Sequence, residues 1–547
     1  TTPLETTHGP LTSPVTPATI NPPGTLPITT RLTTLRVVLE QFPQVVSYVY
    51  GENAFTSWLQ DRTGVQVEFI LYPNAEFESK MSVELSSMLD QFDLVFMRKD
   101  KASTDAFGYR GVCIPLDESI ERYGYHIRAR LDADPLLAST LQARDGNVYA
   151  LPVPRIPGTT DPDATGMRMW IHRGFLDAYG GGMPTTTDEL RVFLQWVRDA
   201  DANGNGDARD EVGWTGAEKA AVTFARPTDF LMNAFTTQDR NGYHIRNGVV
   251  RCAMIEEGYR EGLRYLSGLM ADGLMDPNYP SNDEAAIRQL VGQNGGDTVA
   301  CVSAAHLDTV STEPDIQAKY EAVPPLAGPD GKAYAYADVF SGMTAGMIPA
   351  GSRQPELAMA WADALHDPEV LLHAAFGVPG TDWQVPASGT VADDGGPARA
   401  EILRDVWIGT TLQTWGASFP GMPRESGAVL TAAVSASIRS LAAECAAART
   451  YEPFVALCAL PPFAYDPDTQ TKVTEWKTNI NDFCRSAITD FIYGNLDIDD
   501  DAAWSDYIAQ LRGLGLDECL VAMQTAFDRD WRDVYPEAYT PVPTRTE

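Results

Sequence analysis

The stretch from Leu35 to Phe96 constrains the fold more than any other. Leu35-Arg-Val-Val-Leu39 is a short apolar, β-branched run, and Pro43 breaks the pattern beyond it. Asn53-Ala-Phe-Thr-Ser-Trp-Leu-Gln-Asp-Arg62 switches to helical spacing, with Phe55, Trp58 and Leu59 on one face and Asn53 placed to cap the first turn. Thr63-Gly64 ends that helix, and Val65-Gln-Val-Glu-Phe-Ile-Leu71 alternates as a second strand. A second helix through Met81, Leu85 and Met88 precedes a third strand, Phe92-Asp-Leu-Val-Phe96. Strand, helix, strand, helix, strand is the pattern of a doubly wound α/β lobe, whose ligands bind beyond the carboxyl ends of its strands. The chain has 547 residues, more than one such lobe needs, so at least two lobes are expected.

A second stretch carries chemistry. In Asp201-Ala-Asn-Gly-Asn-Gly-Asp-Ala-Arg-Asp-Glu211, Asp201, Asn203 and Asn205 hold the first, third and fifth positions of a tight turn. Gly206 is sixth, where a sharp bend calls for positive φ, and the Asp207 carbonyl falls at the seventh. Ca²⁺ takes six to eight oxygen ligands, and short acidic and amide side chains at this spacing supply them. The pattern departs from an EF-hand at its end. Val212 stands where the bidentate glutamate belongs, while Asp210 and Glu211 arrive two and one residues early. The alternative reading is an Asn-Gly turn with solvated acids, because these residues populate turns for backbone reasons alone. As a metal site the loop is structural, with no vacancy for chemistry.

The surroundings of this loop carry a family resemblance. Met169-Trp-Ile-His-Arg-Gly-Phe-Leu-Asp177 and Met183-Pro-Thr-Thr-Thr-Asp-Glu-Leu190 precede it, and Val212-Gly-Trp-Thr-Gly216 follows. Further matches lie at Arg62-Thr-Gly-Val65, Asp145-Gly-Asn-Val-Tyr-Ala-Leu-Pro152, Pro324-Pro-Leu-Ala-Gly-Pro-Asp-Gly-Lys332 and Phe491-Ile-Tyr-Gly-Asn-Leu-Asp-Ile-Asp499. In this order, over roughly residues 32 to 535, the chain resembles the extracellular solute-binding proteins (family 1 type) of bacterial ABC importers. The form it is similar to is the large, calcium-containing, oligosaccharide-binding lipoprotein. One departure is Ser86-Ser-Met-Leu-Asp90, which replaces the small-residue turn usual before the third strand.

The resemblance implies an α/β, two-lobe periplasmic-binding-protein-like fold with discontinuous lobes and a multi-segment hinge. The N-terminal lobe would comprise residues 32–155 with a return near 335–395. The C-terminal lobe would comprise 156–334 with about 396–535, including the 201–211 loop, and 536–547 would be a tail. It also implies a non-enzymatic receptor that delivers an oligosaccharide to the transmembrane permease subunits of an ABC transporter. Such a receptor would be an extracellular monomer, held at the cell surface by a lipid anchor upstream of residue 1. The Ca²⁺ ligands would be Asp201, Asn203, Asn205, Asp210 and Glu211, with the backbone oxygen of Asp207.

Composition bears on the rivals. Residues 1–31 hold ten threonines and seven prolines and little to bury, which reads as a disordered linker. A formal charge of −33 repels phosphate backbones, so nucleic acid is excluded as a partner, and polyanionic sugars are disfavoured unless basic residues line the cleft. The seven cysteines have no C-x-x-C spacing and read mostly as small buried hydrophobes. There is no G-x-S-x-G, P-loop, H-E-x-x-H or dinucleotide fingerprint. A glycoside hydrolase, with its carboxylate pair hidden among many acids, stays open as an alternative, as does a calcium-stabilised adhesion or peptide-binding module.

Sugar rings stack their CH faces on aromatic planes, and the chain has eleven Trp and twenty-one Tyr. Those beside glycine, proline or polar loops are the candidates: Trp383, Trp415 and Trp214, with Tyr48 and Tyr50 just past the first strand. Core packing is the competing role for each. Arg226 is a candidate for paired hydrogen bonds to sugar hydroxyls, against an ordinary ion pair.

Overall fold

The computed structural model describes residues 19–41, 53–73, 76, 77, 79–81, 83, 91–97, 101–155, 161–207, 209–219, 224–340, 344–404, 415, 427–430, 436–456 and 458–535. Tyr48 and Tyr50, and the helix positions Leu85 and Met88, lie outside these residues.

Two mixed sheets organise the molecule. The first has the order Val65–Pro73, Thr33–Gln41, Leu94–Phe96, Thr344–Met347, Leu151–Pro152. Its first three strands are parallel, with Thr33 opposite Val65 and Val37 opposite Leu94. Thr344–Met347 then runs antiparallel to Leu94–Phe96. The second sheet has the order Tyr320–Ala322, Met169–His172, Val299–Ser303, Val212–Thr215, with the last two parallel. The first sheet draws strands from before and after the second, whose strands all lie between residues 169 and 322, so the first lobe is discontinuous. The chain passes between them from 152 to 169, from 322 to 344, and again before helix Ala436–Tyr451.

Local signals account for the elements. Asn53 Oδ1 accepts the Phe55 and Thr56 amides at the start of helix Ala54–Thr63, and Gly64 ends it at φ 72°. Phe55 and Leu59 point into the first core with Leu35, Val37 and Leu39. Helix Glu257–Ala271 buries Tyr259, Leu263 and Leu266, the face its spacing defines. Leu151–Pro152 forms an edge strand after the turn at Gly146, as its sequence suggests. All seven cysteines are free and buried.

Two boundaries differ from expectation. Residues 19–31, assigned to the unstructured linker, lie on the first lobe: Ile28 is 4% exposed and its amide donates to the Thr63 carbonyl at 2.8 Å. One isoleucine seated in the core outweighs the Thr/Pro composition around it. The second difference is the return to the C-terminal lobe, expected near 395. Strands Trp383–Gln384, Ala400–Ile402 and Ala428–Val429 instead form a small sheet packed against Phe376 and Ala375, and Trp415 sits in the first core. The second lobe resumes only at helix Ala436–Tyr451, where the Tyr451 hydroxyl donates to the Val323 carbonyl at 2.7 Å.

Candidate functional site

Strand Val212–Thr215 carries the two regions of interest, one at each end. The amphipathic helix Thr187–Asp199 delivers the chain to its amino end. A reciprocal cap fixes where that helix begins: Thr186 Oγ1 accepts the Glu189 amide, and Glu189 Oε2 accepts the Thr186 amide, both at 3.1 Å.

Between helix and strand, residues 201–211 close on themselves. Asp201 accepts the amides of Asn205 at 3.0 Å and Gly206 at 2.8 Å. Asn203 Oδ1 accepts the Asn205 amide, and Asn205 Oδ1 accepts the Asp207 amide. Gly206 takes φ 95°, the left-handed bend that its position in the sequence calls for. The Asn203 and Asn205 side-chain amides donate to Asp210, as does Asn294 from a distant turn. The Asn205 hydrogen bond, with those from Asn203 and Asn294, holds the Asp210 carboxyl below its ordinary pKa. Glu211 differs. Burial raises its pKa, one oxygen accepts the Asn203 amide at 3.2 Å, and Oε2 is buried without a hydrogen-bond partner.

That orphaned oxygen tests the fit of a cation. A buried carboxylate oxygen without a donor is costly, and a hard cation supplies what it lacks. The donor set is all oxygen and the six expected ligands lie on one turn, so the residues fit Ca²⁺. Among the described residues, however, no group of three or more His, Cys, Asp or Glu side chains is gathered closely enough to hold a metal by those groups alone.

At the carboxyl end of the same strand the chain turns sharply. A Cβ on Gly216 would meet the Ala225 carbonyl at 2.4 Å, and the Ala217 amide donates to that carbonyl at 2.9 Å. The turn opens a pocket of about 480 Å³ between residues 218–242 and the long helix Pro467–Ile492. Its polar lining includes Glu218, Arg226, Asp229, Gln238, Asn241, Asn481, Arg485 and Thr489, and Phe224, Tyr259 and Tyr279 add aromatic wall. Phe224 lies against Gly166, which ties the pocket to the segment entering the second sheet. The carboxyl ends of parallel strands are where lobes of this architecture hold ligands.

The charges in the pocket are partly paired. Arg226 Nη2 and Nε contact both Asp229 oxygens at 2.7–3.1 Å, and Nη2 also donates to the Arg240 carbonyl at 2.8 Å. Asp229 accordingly raises the Arg226 pKa, and the guanidinium stays charged. Arg485 reaches Glu218 at 3.2 Å. Burial nevertheless raises the Glu218 pKa, with Arg226 and Arg485 opposing and Asp229 reinforcing the shift.

Of the expected sugar-binding residues that are described, only Arg226 lines this pocket. The three tryptophans are placed in the cores, which corrects the platform reading. Trp214 is fully buried on its strand and donates to Ser303 Oγ at 3.0 Å. Trp383 is 4% exposed and donates to the Gly377 carbonyl. Trp415 is fully buried, edge-on to Phe55, and donates to Thr56 Oγ1. Each indole N–H found its acceptor inside the protein, so no ring face is left for a ligand. His172 caps helix Arg173–Tyr179 through Nδ1 and contacts Asp297 through Nε2 at 3.0 Å, a structural role.

Sequence reading missed the rest of the lining. One signal was available: Asn481, Arg485 and Thr489 recur at four-residue spacing and form a polar stripe on one face of a helix. Nothing in the sequence tied that stripe to residues 218–242.

No family model matches the chain. Over 507 residues, covering 88% of this chain and 87% of the relative, it is 25% identical to the fructooligosaccharide ABC transporter substrate-binding protein FusA of Streptococcus pneumoniae serotype 4. The structure of S. pneumoniae FusA with kestose superposes with a TM-score of 0.67 at 20% identity, covering 91% of this chain and all of that one. The structure of an EF-hand mutant of FusA in complex with fructo-nystose gives a TM-score of 0.66 at 20% identity. An extracellular solute-binding protein from Bifidobacterium longum subsp. infantis superposes with a TM-score of 0.71 at 17% identity, covering 91% of this chain and 98% of that one. The superpositions show the two-lobed α/β fold of solute-binding proteins, and over most of its length the chain is similar in sequence to the substrate-binding protein of an ABC transporter.

Proposed function

We propose that the protein is an extracellular receptor that captures an oligosaccharide between its lobes and passes it to the permease of an ABC importer. The observation that carries this reading is the pocket of about 480 Å³ at the carboxyl end of Val212–Thr215. Its lining supplies what a polyhydroxylated ring needs: amides at Gln238, Asn241 and Asn481, a hydroxyl at Thr489, a guanidinium–carboxylate pair and aromatic wall. Ligand closes the lobes only to the extent that it binds the closed state better, which requires contacts from both.

In this reading one Ca²⁺ is held by Asp201, Asn203, Asn205, Asp210 and Glu211 and by the Asp207 carbonyl. The ion ties the end of helix Thr187–Asp199 to the start of strand Val212–Thr215. The pocket opens at the other end of that strand, so the ion serves stability and takes no part in binding the sugar. The receptor works as a monomer, held at the membrane by a lipid anchor; among the described residues no helix is long and apolar enough to cross a membrane.

Isothermal calorimetry against a panel of oligosaccharides tests the reading, with product analysis on the same mixtures. Saturable binding to at least one saccharide without turnover is the expected result. Cleavage would favour a glycoside hydrolase. Affinity for peptides and none for any sugar would favour an adhesion module.

A further inference from the structure

The pocket is positively charged inside a strongly negative molecule. The whole chain has 41 Lys and Arg against 74 Asp and Glu. Yet Lys219, Arg226, Arg240 and Arg485 all line this one pocket, against only Glu218 and Asp229. The two carboxylates are already engaged, Asp229 by Arg226 and Glu218 by Arg485. Lys219 and Arg240 are left, both exposed and both without a carboxylate partner among the described residues.

Arg240 is also held in place. Its guanidinium lies over the Phe224 ring, 5.5 Å from the centroid, and its backbone carbonyl is bound by Arg226. That contact holds the cation against the ring at the lining of the pocket. A planar fork of donors, positioned before ligand arrives, matches a carboxylate or sulfate better than it matches a hydroxyl. A protein of this net charge repels anions over most of its surface. An uncompensated pair of cations in a concave site reverses that field where the ligand lands.

We propose that the pocket selects an acidic oligosaccharide, one bearing carboxylate or sulfate groups, and that Arg240, assisted by Lys219, is the residue that recognises the charge. This rests on the receptor reading above. The neutral lining groups, Gln238, Asn241, Asn481 and Thr489, would serve the hydroxyls that every sugar carries.

The test is calorimetry of the full chain with three ligands of matched length: an oligouronide, a sulfated oligosaccharide and a neutral fructan such as kestose. At least one acidic ligand is expected to bind about tenfold or more tighter than the neutral one, the gain that one charge-assisted hydrogen bond supplies. Raising the salt concentration should erode that preference. The two acidic arms distinguish carboxylate from sulfate recognition. Arg240→Gln should bring the acidic-to-neutral affinity ratio towards one, with its melting temperature reported alongside to show that it folds. A neutral ligand that binds as tightly as both acidic ones, or a ratio that Arg240→Gln leaves in place, overturns the proposal while the receptor reading stands. Failure of all three, and of a wider sugar panel, overturns both.

Discussion

The two ends of strand Val212–Thr215 have opposite characters. At the amino end, eleven consecutive residues fold into a loop of carboxylates and amides, with a buried glutamate oxygen that lacks a partner. At the carboxyl end, residues from 218–259, 279 and 481–489 meet around a pocket in which positive charge is in excess. The first region is made by local spacing and the second by tertiary packing. A four-residue strand spans only about 13 Å, so the two regions share one scaffold. The difference separates what holds the lobe together from what the lobe holds.

The largest effect should come from cutting the connection. Trp214 is fully buried at the centre of the strand, lies edge-on to Phe230, and gives its indole N–H to Ser303. Trp214→Ala removes the ring and orphans that hydroxyl, at a cost of about 3–5 kcal/mol. Thermal unfolding should show a large fall in melting temperature, and both ends should suffer together. An unaltered melting temperature would mean that the two regions do not depend on this strand.

The next effect falls on the acidic end alone. A ligand of the native state at a hundred times its Kd adds about 2.7 kcal/mol to stability, and removing it takes that away. Chelation, or Asp201→Ala, should therefore lower the melting temperature by roughly 2–5 °C, since unfolding entropy scales with length and a lobe of this size shifts by under about 2 °C per kcal/mol. Sugar affinity measured below the transition should change much less. If affinity falls in step with stability, the ion is coupled to the pocket, and the division between the two ends fails.

The same division explains how much was legible in the sequence. The loop could be read because its candidate ligands are neighbours in the chain, and Gly206 takes the positive φ its position requires. The first sheet was readable for a similar reason: Asn53, Gly64 and the alternation of 65–71 act within a few residues. The pocket was not readable, since Glu218 and Arg485 are 267 positions apart and meet only when helix Pro467–Ile492 packs beside the 218–242 segment. The tryptophans failed for an instructive reason. Proximity to glycine and polar loops marked Trp214, Trp383 and Trp415 as cleft residues, but burial is decided by packing, and each ring fills a core. Ile28 is the converse case, one apolar residue that pins a segment whose composition reads as linker.

A smaller, cleaner effect should come from the helix side of the pocket. Asn481 lines the pocket and is only half-buried, so Asn481→Ala should leave the melting temperature nearly unchanged. If its amide meets the ligand, affinity should fall by about 0.5–1.5 kcal/mol, roughly threefold to tenfold. Unchanged affinity would move the ligand off helix Pro467–Ile492 and towards residues 218–242.

The smallest effect concerns pH, and it sharpens the view that the basic end is incompletely balanced without ligand. Glu218 is faced by Arg485 at 3.2 Å and lies within the field of Arg226, Asp229 and Tyr279. Two guanidinium groups would ordinarily lower a carboxyl pKa, yet burial wins and the pKa is raised. Since the folded state holds this proton more tightly than the unfolded chain, the stabilising contribution of protonated Glu218 is complete below the ordinary glutamate range. It is lost as pH rises through the higher folded-state value. Glu218→Gln keeps a neutral hydrogen-bonding group at every pH and removes that slope. Melting curves of the two proteins without ligand, taken from about pH 4 upward, should therefore show the native protein losing stability relative to Glu218→Gln as pH increases. The opposite slope would mean that Arg226 and Arg485 outweigh burial. The pocket would then hold a fully ionised Glu218, with less positive charge left over for a ligand.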